Sequence, residues 1–155
     1  MKGTSIADFL AKFDKNALEV LFLQVETAVT KNTAEKERIL QEAFREIHSL
    51  KGTASFAHIE SLTDLLHSME DALGVISRSS HQIRAVKDTK VFDIFFSGLD
   101  VVEDLATSLS DRPYFDVRES PEILRPYMRI VANSKALLAD PGCYFEMTEL
   151  DTDLF

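Results

Sequence analysis

The chain has 155 residues, 45% of them hydrophobic, with only 5 Gly and 4 Pro; this fits one domain with a sizeable apolar core and excludes disordered or turn-rich β chains. Its 26 acidic and 17 basic residues give a net charge of -9, which repels nucleic acid at long range. Its single cysteine, Cys143, excludes an internal disulfide and a cysteine-rich metal site, and no apolar run reaches the roughly 18 residues needed to cross a bilayer; a cytoplasmic protein with no membrane segment is expected.

From Ile6, the residues Phe9, Leu10, Phe13, Leu18, Leu21, Phe22, Val25 and Val29 recur at helical spacing, which predicts a first helix ending near Lys31, with Ser5 and Asp8 as a capping box. Asn32 followed by Glu35 offers an N-cap for a second helix over about Thr33 to Ser55, whose apolar stripe is Ile39, Leu40, Ala43, Ile47, Leu50 and Ala54. A third stripe of Leu62, Leu65, Leu66, Met69, Ala72, Leu73 and Ile76 predicts a helix from about Ile59 to Ser79, interrupted by the polar stretch Arg78 to Arg84. The break between the second and third helices is short, so they should pack antiparallel.

Asp88 is a candidate cap for a fourth helix carrying Val91, Ile94, Phe95, Leu99, Val102, Leu105 and Leu109, which Asp111-Arg112-Pro113 stops. Ser120-Pro121 then reads as an N-cap followed by proline at the first helical position, where a missing N–H costs nothing. This fifth helix should end near Ala139. The expected architecture is all-α, an antiparallel bundle of about five helices over residues 1–140, with 141–155 as an acidic tail or the start of a linker.

On the second helix, His48 lies well over a right angle from the apolar stripe, on an outward edge shared with Phe44, Lys51, Gly52 and Ser55. A mid-helix glycine costs about 1 kcal/mol relative to alanine, so Gly52 needs a reason, and access of another protein to the imidazole from that side supplies one. Lys51, three residues on, can present positive charge to a phosphoryl oxygen. On the third helix Thr63, His67, Glu70 and Gly74 form a polar stripe that could face His48, with Glu70 placed to hydrogen-bond one ring nitrogen and leave the other free to attack phosphorus.

The run His48-Ser49-Leu50-Lys51-Gly52-Thr53-Ala54, followed by the segment Ser61 to Leu73 that contains His67 and Glu70, closely resembles histidine phosphotransfer domains, above all those of CheA-type chemotaxis kinases. Thr53-Ala54-Ser55-Phe56 departs from the more glycine-rich segment many such kinases carry. The resemblance implies a five-helix bundle with a four-helix core. It also implies that His48 is phosphorylated, that Glu70 bonds its unphosphorylated ring nitrogen, and that Lys51 and His67 tune the same network.

The partners it implies are a histidine kinase catalytic domain, which brings ATP, and a CheY-like receiver domain of a response regulator, which brings Mg²⁺. No cofactor is expected in this chain itself, since ATP-binding glycine boxes are missing and Lys51-Gly52-Thr53 inverts the order of a phosphate loop. Both a segment of a larger kinase and a free-standing phosphorelay carrier fit. A metal enzyme using His48, His58, His67, Glu60 and Glu70 has too few partners in the wrong order for a di-iron bundle. A silent helical adaptor explains the bundle but leaves Gly52 beside His48 and Lys51 without a reason.

Overall fold

Side chains at three- and four-residue spacing put one apolar face on each helix, and burial of those faces against one another builds the molecule. The computed structural model describes residues 5–85 and 90–142. Among these it contains no strand, two short 3-10 turns (Lys90–Phe92 and Val117–Glu119) and seven α-helices. The helices are α1 (Ile6–Lys12), α2 (Lys15–Lys31), α3 (Lys36–Phe56), α4 (Glu60–Arg78), α5 (Ser80–Ala85), α6 (Asp93–Asp111) and α7 (Pro121–Ala139).

The four long helices α2, α3, α4 and α6 pack in a closed ring, each against the next, and the short α2–α3 and α3–α4 connections make those neighbours antiparallel. Helix α7 lies over α4 and α6, and α1 crosses α3 and α6. The stripe Leu40, Ala43, Ile47, Leu50 and Ala54 of α3 is buried throughout, as is the α4 stripe from Leu62 to Ile76. Each Leu or Ile so buried is worth about 1.5–3 kcal/mol, against a few tenths for helix propensity, so packing fixes these helices. In the core, Phe22 and Phe95 stack with ring centroids 4.7 Å apart.

Several local expectations are corrected. The first helix is two helices: Phe13 is extended, and the Asp14 carboxylate accepts a hydrogen bond from the Ala17 N–H at 3.1 Å to start α2 afresh. The break lets α1 turn across the bundle and bury Phe9. Ser5 and Asp8 do form the capping box. Asn32 ends α2 instead of starting α3: it takes the left-handed conformation (φ 51°) while the Thr33 N–H reaches back to the Ala28 carbonyl at 3.0 Å.

The polar stretch after Arg78 holds the short helix α5, whose Ile83 is buried and which packs on α2. Asp88, Cys143 and the acidic tail lie outside the described residues. Gly98 in α6 marks the closest approach to α4, where a Cβ would stand 2.8 Å from Met69 Sδ. Helix α7 begins at Pro121 as its sequence predicts, although the Ser120 hydroxyl donates to Glu122 Oε2 at 3.1 Å and accepts no backbone bond. Its Ile123, Ile130 and Leu137 are buried, and the Tyr127 hydroxyl donates to the Ser61 carbonyl at 2.8 Å, tying α7 to the first turn of α4.

Candidate functional site

Helix α3 is long enough to carry both a buried stripe and an outward edge, and the tight turn after it returns the chain so that α4 runs back beside that edge. The turn is built by His58, which takes the left-handed conformation (φ 60°) so that the Ile59 and His58 N–H groups reach the Ala54 and Ser55 carbonyls, both at 3.0 Å. His58 thus has a backbone task, and among the described residues no group of His, Cys, Asp and Glu comes together to hold a metal ion.

Across the α3–α4 seam, His48 Nδ1 meets Glu70 Oε2 at 2.5 Å, and Lys51 Nζ donates to Glu70 Oε1 at 2.7 Å. The three side chains differ sharply in exposure: Glu70 retains 9%, Lys51 23% and His48 63%. One carboxylate, sunk in the seam, therefore holds an exposed imidazole and a half-buried ammonium. Burial pushes the Glu70 carboxyl up, but the hydrogen bonds from Lys51 and His48 outweigh it and hold the group below its usual range. Glu70 is held as an anion, which makes Nδ1 the donor in this bond and leaves Nε2 with no hydrogen-bond partner among the described residues.

Phe44, one turn before His48 and 40% exposed, lies parallel to the imidazole, the planes 9° apart and the centroids 6.1 Å apart. One turn after His48, a Cβ at Gly52 would find no atom within 4 Å, and Ser55 beyond it is exposed. The approach to Nε2 from the C-terminal side of α3 is therefore open. The Lys51 ammonium is turned to Glu70, where it keeps the carboxylate charged.

His67 is not brought into this network. Its Nε2 pairs with Asp71 Oδ1 at 3.4 Å, one turn along α4, and it lines a cleft against α7 with Asp64, Tyr127 and Ser134. Residues three apart on a helix differ by about 60° around its axis; that angle turns Glu70 into the α3 seam and His67 toward α7. The spacing of four between His67 and Asp71 is the sequence signal of this pair.

The site thus combines an exposed imidazole, a buried carboxylate behind it and a bare turn beside it. The sensor histidine kinase CheAY of Helicobacter pylori (strain ATCC 700392 / 26695) is 30% identical over 73 residues, which is 47% of this chain but only 9% of that protein. No solved structure matches. The family model described as Hpt domain matches residues 9–111, from α1 to the end of α6 and so the whole four-helix ring, and the chain belongs to the Hpt domain family.

Proposed function

We propose that His48 is the phosphorylated residue of this Hpt domain, loaded from ATP by a histidine kinase catalytic domain and discharged onto an aspartate of a response regulator. Membership of the family carries phosphotransfer in two-component signalling and interaction with kinases and regulators of those classes. The observation that supports His48 is its bond from Nδ1 to a buried, ionised Glu70, which leaves Nε2 as an exposed nucleophile.

The reaction balances without any base. The Nε2 lone pair attacks the γ-phosphorus, an N–P bond forms as the P–O bond to ADP breaks, and ADP leaves with the bonding electrons. Because Nδ1 keeps its proton, the ring becomes positive as the bond forms. Glu70 faces that developing charge at hydrogen-bond distance, and Lys51 keeps it deprotonated. In the second step a carboxylate oxygen of the regulator attacks phosphorus, the N–P bond breaks and the ring returns to neutrality.

The chemotaxis assignment, with a CheA-type kinase and a CheY-like regulator in the cytoplasm, rests on the His48-to-Ala54 motif and on the likeness to the H. pylori kinase. No helix among the described residues is long and apolar enough to cross a membrane.

Incubation with a CheA-type kinase catalytic domain and ATP, or with phosphoramidate, should add one phosphoryl group by intact mass, labile in acid and stable in base. His48→Gln should abolish the gain while thermal unfolding stays nearly unchanged, because an exposed side chain contributes little to stability. Undiminished labelling of His48→Gln would refute the assignment.

A further inference from the structure

Beyond His48 in the N-terminal direction, the seam between α3 and α4 opens into a cleft of about 620 Å³. Its floor is Leu40 and Leu73, both buried, and Phe44, which lines it, stacks on the His48 ring. Lys36, Arg45 and Arg78 all line it, against one carboxylate, Glu37.

Carboxylates outnumber cations by 26 to 17, so a surface cation has acidic side chains to spare around it. Lys15, Arg38, Arg112 and Arg118 are all ion-paired. The three cations of the cleft have no carboxylate partner among the described residues; Lys36 bonds only the neutral Asn32 Oδ1 at 3.0 Å and Ser80 Oγ at 3.1 Å. A positive, apolar-floored cleft on an acidic domain, edged by the Phe44 ring that stacks on His48, fits a partner whose face is acidic.

We infer that this cleft docks the receiver domain of the response regulator, taking the acidic face around its phosphate-accepting aspartate. The inference rests on His48 as the phosphoryl donor. It goes further in assigning Arg45 and Arg78 the selection of the partner. The chemistry favours the receiver, because a face that holds Mg²⁺ and offers an aspartate to phosphorus must gather carboxylates. One helical turn separates Phe44 from His48, about 6 Å along the axis, so a surface seated in the cleft also covers the imidazole. Charges at the rim steer encounter and select partners.

The test uses the full chain and the double variant Arg45→Glu/Arg78→Glu, neither of which takes part in the His48–Glu70–Lys51 bonds, with a CheY-type receiver domain as probe. In titrations of isotope-labelled chain followed by NMR, the receiver should shift amides of Lys36–Arg45 and Leu73–Arg78. Affinity should fall at least about tenfold in the double variant and lose most of its salt dependence. This measures binding alone, so it stands even if His48 never takes phosphoryl. Phosphoramidate loading should be unchanged in the variant, and transfer from loaded chain to the receiver should slow in parallel with binding.

Equal affinity and equal salt dependence in the two chains would overturn the inference. So would shifts confined to other surfaces, or a variant that slows loading by the ATP-bearing kinase while leaving the receiver unaffected, which would give the cleft to the donor. Circular dichroism melts of the variant separate docking from folding, and Arg45→Gln/Arg78→Gln, with the charge removed but not reversed, should fall between wild type and the reversal.

Discussion

Replacing Glu70 by alanine deletes the acceptor that holds His48 Nδ1 at 2.5 Å and Lys51 Nζ at 2.7 Å. Buried hydrogen bonds to charged groups contribute about 1.5–3 kcal/mol each, but the imidazole is 63% exposed and water replaces its partner at little cost. Truncation also removes the desolvation cost of a carboxylate that is only 9% exposed. The net stability change should be within about 1–2 kcal/mol, a melting shift of a few degrees for a domain of this size.

The chemical step suffers more, because the ring turns positive with no anion beside it. Loading should slow by about ten- to hundredfold, or about 1.4–2.8 kcal/mol of barrier. Glu70→Gln keeps an oxygen acceptor for Nδ1 but no charge, and should fall between. Single-turnover loading from phosphoramidate, followed by intact mass alongside melting curves, measures both effects. Loading of Glu70→Ala at the wild-type rate with the fold intact would refute the role given to the carboxylate.

Other outcomes follow from the same geometry. Because the Glu70 carboxyl sits below its usual value in the folded chain, its bonds stabilise the fold above the ordinary carboxylate range and are lost as pH falls through the depressed value. Wild type should therefore lose more stability than Glu70→Gln between about pH 5 and pH 3, seen in pH-dependent melts. Gly52→Ala should raise stability by about 1 kcal/mol, since its Cβ meets no atom within 4 Å. Gly52→Gln and Gly52→Leu should keep the fold and phosphoramidate loading but slow transfer to a receiver domain; transfer at the wild-type rate in all three would show that Gly52 is not an access device.

Tyr127 is pushed up to about 12, first by burial and then by the charge of Asp64. A phenol with a raised folded pKa stabilises fully below its unfolded value, near 10, and the contribution is lost as pH rises toward about 12. Tyr127→Phe should cost about 1 kcal/mol at neutral pH and flatten the alkaline decline in stability, read by denaturant midpoints.

Much of this arrangement is legible in the chain itself. The buried faces of α3 and α4 coincide with the stripes Leu40 to Ala54 and Leu62 to Ile76, because a period near 3.6 leaves one way to hide so many aliphatic groups. What escapes is local competition. The apolar period runs unbroken through Phe13 to Leu18, so only Asp14 betrays that α1 and α2 are separate, and one carboxylate offered to free N–H groups is a faint signal. Asn32 stands between two helices and can cap either, since its short amide suits both an N-cap and the left-handed C-cap it adopts. For the site, the periodic stripe holds both His67 and Glu70. Which of them faces α3 is decided by how α4 rolls against its neighbours, a tertiary property that no single helix encodes.

The exposure of His48 sets how long a message can be held. Among the described residues the His48 side chain stays 63% exposed, and Gly52 beside it bears no side chain. On the proposed role of His48, a phosphoryl group placed there would meet bulk water as freely as it meets a partner, which suits a relay baton rather than a store. Its signal persists only while collisions with a receiver outrun hydrolysis. The abundance and encounter rate of the partner, more than any shelter the domain provides, therefore determine how much of each charge is delivered and how much decays unread.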